Sequence, residues 1–318
     1  MLKVIHGFSS VPAEARGAVL AIGNFDGVHR GHQALIREAK RIAAATPAPG
    51  APSGVIIFDP HPREHFHPDR PHFRLTALDR KLELFDAYGA RIAVVLTFDA
   101  SLAGMTAEAF VSRVLVEGLA VRHVIVGYDF HFGRNRGGDV RFLESAGLRN
   151  GFGVTVVPPV AEGGEVFSSS AIRAELAQGD VESAAEALGH WWRVSGIVIG
   201  GAHLGTGFGF PTANIDLPKC AGLAHGIYAV RVILADGRRF SGAAYLGTRP
   251  TVDDGPPKLE TFLLDFSGNL YGQVITLEFV ARIRGDKRFA DFEELKAQMA
   301  RDCEEARRRL AAAPETPV

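Results

Sequence analysis

Hydrophobic and polar positions alternate in blocks through the first half of the chain. Short continuous apolar runs, rich in β-branched residues, are separated by stretches in which apolar residues recur with a helical period. Such runs are typical of strands buried on both faces of a parallel sheet, and the helical period is typical of amphipathic helices. The predicted strands are Ala18–Ile22, Val55–Phe58, Ile92–Leu96, His123–Val126 and Val154–Val157, and the predicted helices include Leu78–Tyr88 and Ala107–Glu117. This alternation predicts a Rossmann-like, doubly wound α/β domain with ligands at the carboxyl ends of its strands.

Past Trp191 the pattern changes to strand-like segments joined by turns rich in Gly, Asp and Pro. Few helical stretches intervene, which predicts an antiparallel β-barrel or sandwich followed by a terminal helix over Phe292–Leu310. The predicted strands are Arg193–Ile199, Gly226–Leu234, Arg239–Tyr245, Leu259–Phe266 and Gln273–Ala281. We place the boundary near Gly179–His190, after a short helix at Ala171–Ala177, which predicts domains at 1–186 and 187–318.

Composition narrows the function classes. The 318 residues suffice for two domains, and 47% hydrophobic with 22% charged residues is ordinary for a globular protein. A formal net charge of −1 gives no basic field for nucleic acid. No apolar run approaches the ~20 residues of a membrane span. The two cysteines, Cys220 and Cys303, have no metal-ligand spacing, and no signal peptide is recognisable, so we expect a cytoplasmic protein.

A glycine-rich turn, Gly23–His32, lies between the first predicted strand and a helical pattern. Such a turn presents backbone N–H groups to phosphate. His29 and His32 are three positions apart, so their imidazoles face the same way on a helical turn. We expect histidines held cationic near neutral pH, which suits a polyphosphate. The turn therefore predicts a nucleotide site.

Further segments contain candidate reactive residues. They lie at the ends of predicted strands or at the beginning of predicted helices and strands. In the first half these are Phe58–Pro62, Gly127–Gly138 and Ser168–Arg173, and in the second half Gly205–Asn214, Leu246–Thr251 and Leu259–Phe266. Taken in this order, they resemble the bacterial bifunctional riboflavin kinase/FAD synthetase family from about Ile22 to Arg307. Many nucleotidyltransferases share the His-x-Gly-His pair, whereas Phe-Pro-Thr-Ala-Asn followed by Gly-Thr-Arg-Pro-Thr is much more specific.

The resemblance implies two activities and two domains. An N-terminal nucleotidyltransferase domain would adenylylate FMN with ATP, giving FAD and pyrophosphate. A C-terminal β-barrel riboflavin kinase domain with a terminal helix would phosphorylate riboflavin to FMN. Both reactions use ATP and Mg²⁺. The implied partners are ATP, riboflavin and FMN, with no nucleic acid and no membrane, and a homo-oligomer is left open.

By the same resemblance, His29 and His32 are the catalytic phosphate-holding residues of the adenylyltransferase, and no covalent intermediate is expected. The full set implied for ATP is Gly23, Phe25, Asp26, Gly27, His29, His32, Ser168, Ser169 and Arg173. The set implied for the flavin and its phosphate is Asp59, His61, Asp129, Phe130 and Arg136. Other histidines near His61, namely His65, His67 and His72, match no zinc spacing and are expected to be mostly solvated loop residues.

In the kinase domain the resemblance makes Glu260 the catalytic base and Thr212 and Asn214 the metal-holding residues. The implied ATP site is Gly205, Gly207, Gly209, Pro211, Thr212 and Asn214. Without the resemblance, Glu260 reads as an outward carboxylate on a strand, and Asn214 as a turn residue.

One position departs from the family pattern, because Thr206 stands where the family has an arginine. Loss of that charge would weaken ATP binding or phosphoryl transfer. Two alternatives to the bifunctional enzyme therefore stay open: a monofunctional FAD synthetase with an impaired kinase domain, and a non-catalytic flavin- or nucleotide-binding protein.

Overall fold

The structure is a computed structural model that describes residues 1–46, 51–70, 72–200, 212–215, 222–248 and 257–316. The chain folds into two compact units, Met1–Ser168 and Ser169–Val318. The domain boundary expected after residue 186 stays a prediction. Among the described residues, no helix combines the length and apolar character needed to cross a membrane.

The first unit is built on a six-stranded sheet in the order β1-β4-β3-β2-β5-β6, in which all pairs are parallel. Its strands are β1 Lys3–His6, β2 Val19–Ile22, β3 Ser53–Asp59, β4 Ile92–Thr97, β5 His123–Gly127 and β6 Gly153–Val157. The predicted α/β class is confirmed. β1 was not predicted, because its four residues include only one buried side chain, Ile5. The chain order reverses at β2, which lies between β3 and β5, and such a reversal opens a ligand crevice at the strands' carboxyl ends.

Helices cover both faces of this sheet. They are α1 Arg30–Ala45, α2 Pro62–Phe66, α3 Leu78–Ala87, α4 Ala100–Ala103, α5 Ala107–Ala109, continued by π-helical Phe110–Gly118, and α6 Val140–Asn150. Alternate strand residues enter separate cores, so that Leu20 and Ile22 pack with Val114 while Val19 and Ala21 pack with Ile36 of α1. A short hairpin, β7 Ala161–Glu162 and β8 Glu165–Val166, follows the sheet.

The second unit is a closed barrel in the order β10-β13-β12-β11-β14-β9, with antiparallel pairs throughout. Its strands are β9 Arg193–Ile199, β10 Thr212–Ile215, β11 Gly226–Leu234, β12 Arg239–Gly247, β13 Lys258–Leu263 and β14 Val274–Arg284, and its helices are α7 Ser169–Gln178, α8 Val181–Leu188 and α9 Phe292–Ala312. Of the two architectures predicted for this half, the barrel is confirmed and the sandwich is not. α8 occupies the segment that the sequence suggested as a boundary, and β10 makes Asn214 a strand residue rather than a turn residue.

The terminal helix α9 packs on the barrel through Cys303, Ala306 and Leu310. A buried ion pair beside it joins Arg231 to Glu278, with Nη1 and Oε1 3.0 Å apart. Arg231 also donates to the Ala313 and Pro314 carbonyl oxygens at 2.9 and 2.8 Å, which fastens the segment after the helix.

Gly54 of β3 provides a test of the sheet's packing. A methyl group at this position would lie 2.1 Å from the Ile92 carbonyl oxygen, and backbone cannot move aside cheaply. We expect Gly54→Ala to lower the free energy of unfolding of the first unit by about 2 kcal/mol or more. Urea unfolding measures this change. In the control Gly200→Ala the added methyl group meets nothing within 4 Å. Equal stability of the two variants would contradict the strand pairing.

Candidate functional site

The turn after β2 has an unusual backbone. Phe25 has a φ of 49°, Gly27 of 88° and Val28 of 44°, so each lies in the left-handed region. Only glycine enters this region without steric cost, and a β-branched residue there is an outlier. Phe25 and Val28 are fully buried in the core under the sheet. Packing and hydrogen bonds must therefore hold the turn in this conformation.

Hydrogen bonds to distant parts of the sequence hold the turn. The buried carboxylate of Asp26 accepts hydrogen bonds from the Leu75 and Thr76 N–H groups at 3.1 and 3.2 Å. Lys81 Nζ on α3 donates to the Asn24 carbonyl oxygen at 3.0 Å. Burial lowers the pKa of Lys81, and the neighbouring Asp26 carboxylate opposes this effect.

The two histidines of the turn are stacked, with ring centroids 3.7 Å apart and an interplanar angle of 28°. His29 directly precedes α1 and is buried, and the Phe25 ring lies 5.0 Å from that of His32. A Cβ on Gly31 would lie 3.0 Å from the His29 ring. Glycine at this position therefore leaves room for the imidazole, and the predicted pairing of the two rings is confirmed.

The expected charge of these histidines is corrected for His32. Burial, followed by the neighbouring charges of His29 and Lys81, holds the pKa of His32 well below its usual range. His32 is therefore neutral near pH 7 in the ligand-free protein, because desolvation disfavours the cation. A bound polyphosphate would raise the pKa of His32, since nearby negative charge favours the protonated imidazole.

Asp26 also lies beside His61 and His72, with one ligand atom from each residue within 4.8 Å of the others. Two imidazoles and a carboxylate suit Zn²⁺ better than Mg²⁺. A tetrahedral zinc ion needs ligand atoms roughly 3.4 Å apart, and the nearby Lys81 ammonium repels a cation. We therefore assign the cluster to polar packing beside the turn. Of the histidines expected to be mostly solvated, His67 is exposed and His65 is half-buried, whereas the His72 side chain is only 8% exposed. His61, a predicted flavin contact, is buried.

At the end of β3, Asp59 is paired with Arg74, whose Nη1 is 2.9 Å from Asp59 Oδ1. Arg74 also binds Glu64, and this hydrogen bond lowers the pKa of Glu64. Next to this network, Phe66 and His65 pack edge-on against Phe98 at centroid distances of 5.7 and 5.5 Å.

Phe66 is 58% exposed, an unusual position for a large aromatic side chain next to a predicted flavin site. The sequence analysis missed this residue. Its nearness to the Asp59-Pro60-His61 segment was the available signal.

The loop after β5 carries the other predicted flavin contacts. The Phe130 and Phe132 rings stack at 5.4 Å, which anchors the loop on the core. Arg136 has a φ of 57°, and its guanidinium lies 3.0 Å from His131 Nδ1. Asp129 lies two residues beyond β5, with its Oδ1 facing Gly127. All three predicted residues thus follow the strand next to β2.

The predicted residues Ser168, Ser169 and Arg173 fall on both sides of the division between the units. Ser168 follows Phe167, whose ring lies 5.3 Å from the Arg30 guanidinium at the start of α1. Ser169 begins α7, and Arg173 donates to its carbonyl oxygen at 3.1 Å. The approach of Ser169 and Arg173 to the histidines stays a prediction.

In the barrel, three neighbouring strands place Glu260 between Asn214 and Tyr245. Glu260 of β13 is the register partner of Asn214 on β10 and of Tyr245 on β12. Directly opposed residues have their side chains on the same face of a sheet. Thr212, two residues before Asn214, lies on that face too. The predicted base and metal-holding residues are therefore brought together, with Asn214 buried and Glu260 half-buried.

Tyr245 is a further neighbour of Glu260 on this face, and no motif in the sequence points to it. Its hydroxyl donates to the Thr248 carbonyl oxygen at 2.9 Å, at the start of the Gly-Thr-Arg-Pro-Thr segment. A Cβ on Gly247 would lie 2.3 Å from the Tyr245 hydroxyl oxygen, so glycine is needed there. The predicted ATP-binding residues Gly205, Gly207, Gly209 and Pro211, together with Thr206, lie outside the described residues.

His32 should make stability depend on pH. Its pKa is well below the ordinary value of 6.5, so below that pH the unfolded chain takes up a proton that the folded chain excludes. We expect the free energy of unfolding to fall by up to about 1.4 kcal/mol per pH unit below about pH 6.5. Urea titrations of the natural protein and of His32→Gln measure this. A shallower dependence in the variant is expected, and identical dependences would contradict a neutral His32.

Comparisons with known proteins match both halves of the chain. A family model for FAD synthetase matches residues 11–171, and one for riboflavin kinase matches residues 188–310. A solved structure described as a macrolide-efflux protein from Streptococcus pneumoniae has the same fold. Its TM-score is 0.83 at 25% identity, covering 96% of this chain and 98% of that one.

Curated relatives match along almost their whole length. The bifunctional riboflavin kinase/FMN adenylyltransferase of Escherichia coli K12 is 41% identical over 302 residues, 95% of each chain. That of Pseudomonas fluorescens is 41% identical over 307 residues, 96% of this chain and 97% of that one. The Bacillus subtilis protein is 33% identical over 310 residues, 96% of each chain. The chain therefore belongs to the bifunctional riboflavin kinase/FMN adenylyltransferase family.

Proposed function

We propose that this enzyme forms FMN in its barrel and converts FMN to FAD at the turn after β2. The two activities, riboflavin kinase and FMN adenylyltransferase, are those of its family. The observation that supports this proposal most strongly is that each unit brings together a different set of reactive groups. The stacked pair His29 and His32 lies in the first unit, and Glu260 opposite Asn214 lies in the second. We propose the cytoplasm, where ATP is available, as the location.

In the adenylyltransferase, a phosphate oxygen of FMN attacks the α-phosphorus of ATP, and the bond to pyrophosphate breaks. The attacking phosphate is already largely ionised near neutral pH, so no strong base is required. The protein must align the phosphates and stabilise charge on the leaving group. We assign this task to His29 and His32 with the backbone N–H groups of the turn. We propose Ser168, Ser169 and Arg173 as further contacts of the triphosphate.

We assign the flavin to the carboxyl ends of β3 and β5, which flank β2 in the sheet. Asp59, His61, Asp129, Phe130 and Arg136 are the proposed contacts. The exposed ring of Phe66 supports the assignment, since an aromatic face of this kind is suited to stacking on an isoalloxazine.

In the kinase, the nucleophile is a neutral hydroxyl group of riboflavin, so a carboxylate near it is useful as a proton acceptor. We assign Glu260 to this role. It accepts the proton as the hydroxyl oxygen attacks the γ-phosphorus of ATP and the bond to ADP breaks. The Gly205–Pro211 segment is the proposed nucleotide loop.

Mg²⁺ fits the donor set on this barrel face. The Thr212 hydroxyl and the Asn214 amide oxygen are hard oxygen donors on one face of β10, and Asn214 is the register partner of Glu260. These two residues would hold the ion with the ATP phosphates, and the ion would neutralise charge developing on the transferred group. For adenylyl transfer, we propose that Mg²⁺ enters with ATP, because the nearby Asp26, His61 and His72 cluster does not favour it.

Separate sites predict separable activities. Glu260→Gln should lower the rate of FMN formation from riboflavin roughly 100-fold or more, because the proton acceptor is lost. FAD formation from supplied FMN should stay within about threefold of normal. Chromatography of the flavins, run separately with riboflavin and with FMN, measures both. Asp236→Asn, in the exposed turn after β11, is the control. Loss of both activities in folded Glu260→Gln would contradict the assignment.

The reverse pattern is expected at the turn. His29→Ala should lower FAD formation from FMN roughly 100-fold while riboflavin phosphorylation is kept. The same assay measures the change, and His67→Ala, at an exposed position of the same unit, is the matched control. An unchanged rate of FAD formation in His29→Ala would place the ATP site elsewhere.

A further inference from the structure

The left-handed turn is held at two carbonyl oxygens by two side chains, which we call the carbonyl clamps. Lys81 Nζ donates to Asn24 O at 3.0 Å, just before Phe25, and Gln33 Nε2 donates to Val28 O at 2.9 Å. Lys81 is only 4% exposed and Gln33 only 5%. The family-based assignments given above use neither residue.

Peptide geometry links each clamp to a donor on the opposite side. In a planar trans peptide, the carbonyl oxygen points away from the N–H of the following residue. When Asn24 O points toward Lys81, the Phe25 N–H therefore points away from it. Likewise, when Val28 O points toward Gln33, the His29 N–H points away from Gln33. The clamps thus determine where two backbone donors of the turn are directed.

We propose that Lys81 and Gln33 are positioning residues for adenylyl transfer, which hold the Phe25 and His29 N–H groups toward the phosphates of a nucleoside triphosphate. This inference rests on the proposed function, because it requires the turn to be the ATP site. It extends that function with two residues that act through the backbone. Neither side chain has to touch the substrate.

The burial of Lys81 supports this role. Taking an ammonium group out of water is costly unless the group is paired and hydrogen-bonded. The Asp26 carboxylate is the neighbouring anion, and it is itself bound to the Leu75 and Thr76 N–H groups. The Asp26 carboxylate thus offsets part of the cost of burying the Lys81 charge, although burial still lowers the pKa of Lys81. What Lys81 provides to the turn is a directed hydrogen bond to one carbonyl oxygen.

Steady-state kinetics of the full chain test the proposal. Lys81→Met and Gln33→Met keep the length of each side chain and remove its donor. Each should raise the KM for ATP in FAD formation by roughly tenfold or more, as expected for losing a hydrogen bond that orients a phosphate donor. The KM for FMN should change by less than about threefold. Because both clamps hold one turn, the double variant should raise the KM for ATP by less than the product of the single effects.

Three controls separate positioning from stability. Lys81→Arg retains a charged donor and should recover part of the affinity for ATP. Leu143→Ala, at a fully buried position of α6 in the core on the other face of the sheet, destabilises the same unit without touching the turn. Its KM for ATP should stay near normal. Cooperative urea unfolding of the first unit, which contains all of the substituted positions, reports that each variant is folded.

The outcomes are distinct. A rise in the KM for ATP confined to the clamp variants supports the proposal. A KM for ATP within about threefold of normal in both single variants overturns it, as does an equal rise in Leu143→Ala. If the natural protein forms no FAD from FMN, the proposed function itself has failed, and if His29→Ala keeps full FAD formation, the assignment of the ATP site to the turn has failed. If His29→Ala is inactive and the clamp variants are normal, only the clamp inference has failed.

Discussion

The first unit depends on a backbone turn that the chain would not adopt alone. Phe25 and Val28 are bulky residues held at positive φ, and each such residue costs on the order of 1–2 kcal/mol. The protein nevertheless forms this turn at the carboxyl end of β2, where the strand order reverses. Burial of both side chains and hydrogen bonds from Asp26, Lys81 and Gln33 offset this cost. Strain of this kind is typical of positions where the backbone itself binds a ligand.

The two units solve different chemical problems. Adenylyl transfer starts from an ionised phosphate nucleophile and needs donors placed around phosphates, which a turn with stacked histidines provides. Phosphorylation of an alcohol needs a proton acceptor, and the barrel places Glu260 in register with Asn214 and Tyr245. Strand register specifies these neighbours, because a slip by one residue would move Glu260 to the opposite face. In our proposal, strand register positions the reactive residues of the kinase, and the clamped turn positions the backbone donors of the adenylyltransferase.

Long apolar runs made most of the fold predictable. The buried strands of both units are continuous enough to be found from their pattern. In contrast, β1 has one buried side chain and β10 has the sequence Thr-Ala-Asn-Ile, so neither forms an apolar run and both were missed as strands. The relation between Lys81 and the turn could not be predicted, because 57 residues separate Lys81 from Asn24. A lysine on an amphipathic helix normally indicates a solvated face. The lowered pKa of His32 could not be predicted for a related reason, since the burial that causes it arises from packing that the local sequence does not show.

The most direct test of the account is a crystal structure of the full chain with Mg²⁺ and a non-hydrolysable ATP analogue. We expect phosphate oxygens within about 3.2 Å of the Phe25 and His29 backbone nitrogens. Phe25 and Val28 should remain at positive φ, with Lys81 still bound to Asn24 O. A triphosphate bound away from this turn, or a turn in which the Asn24 carbonyl has left Lys81, would contradict the account.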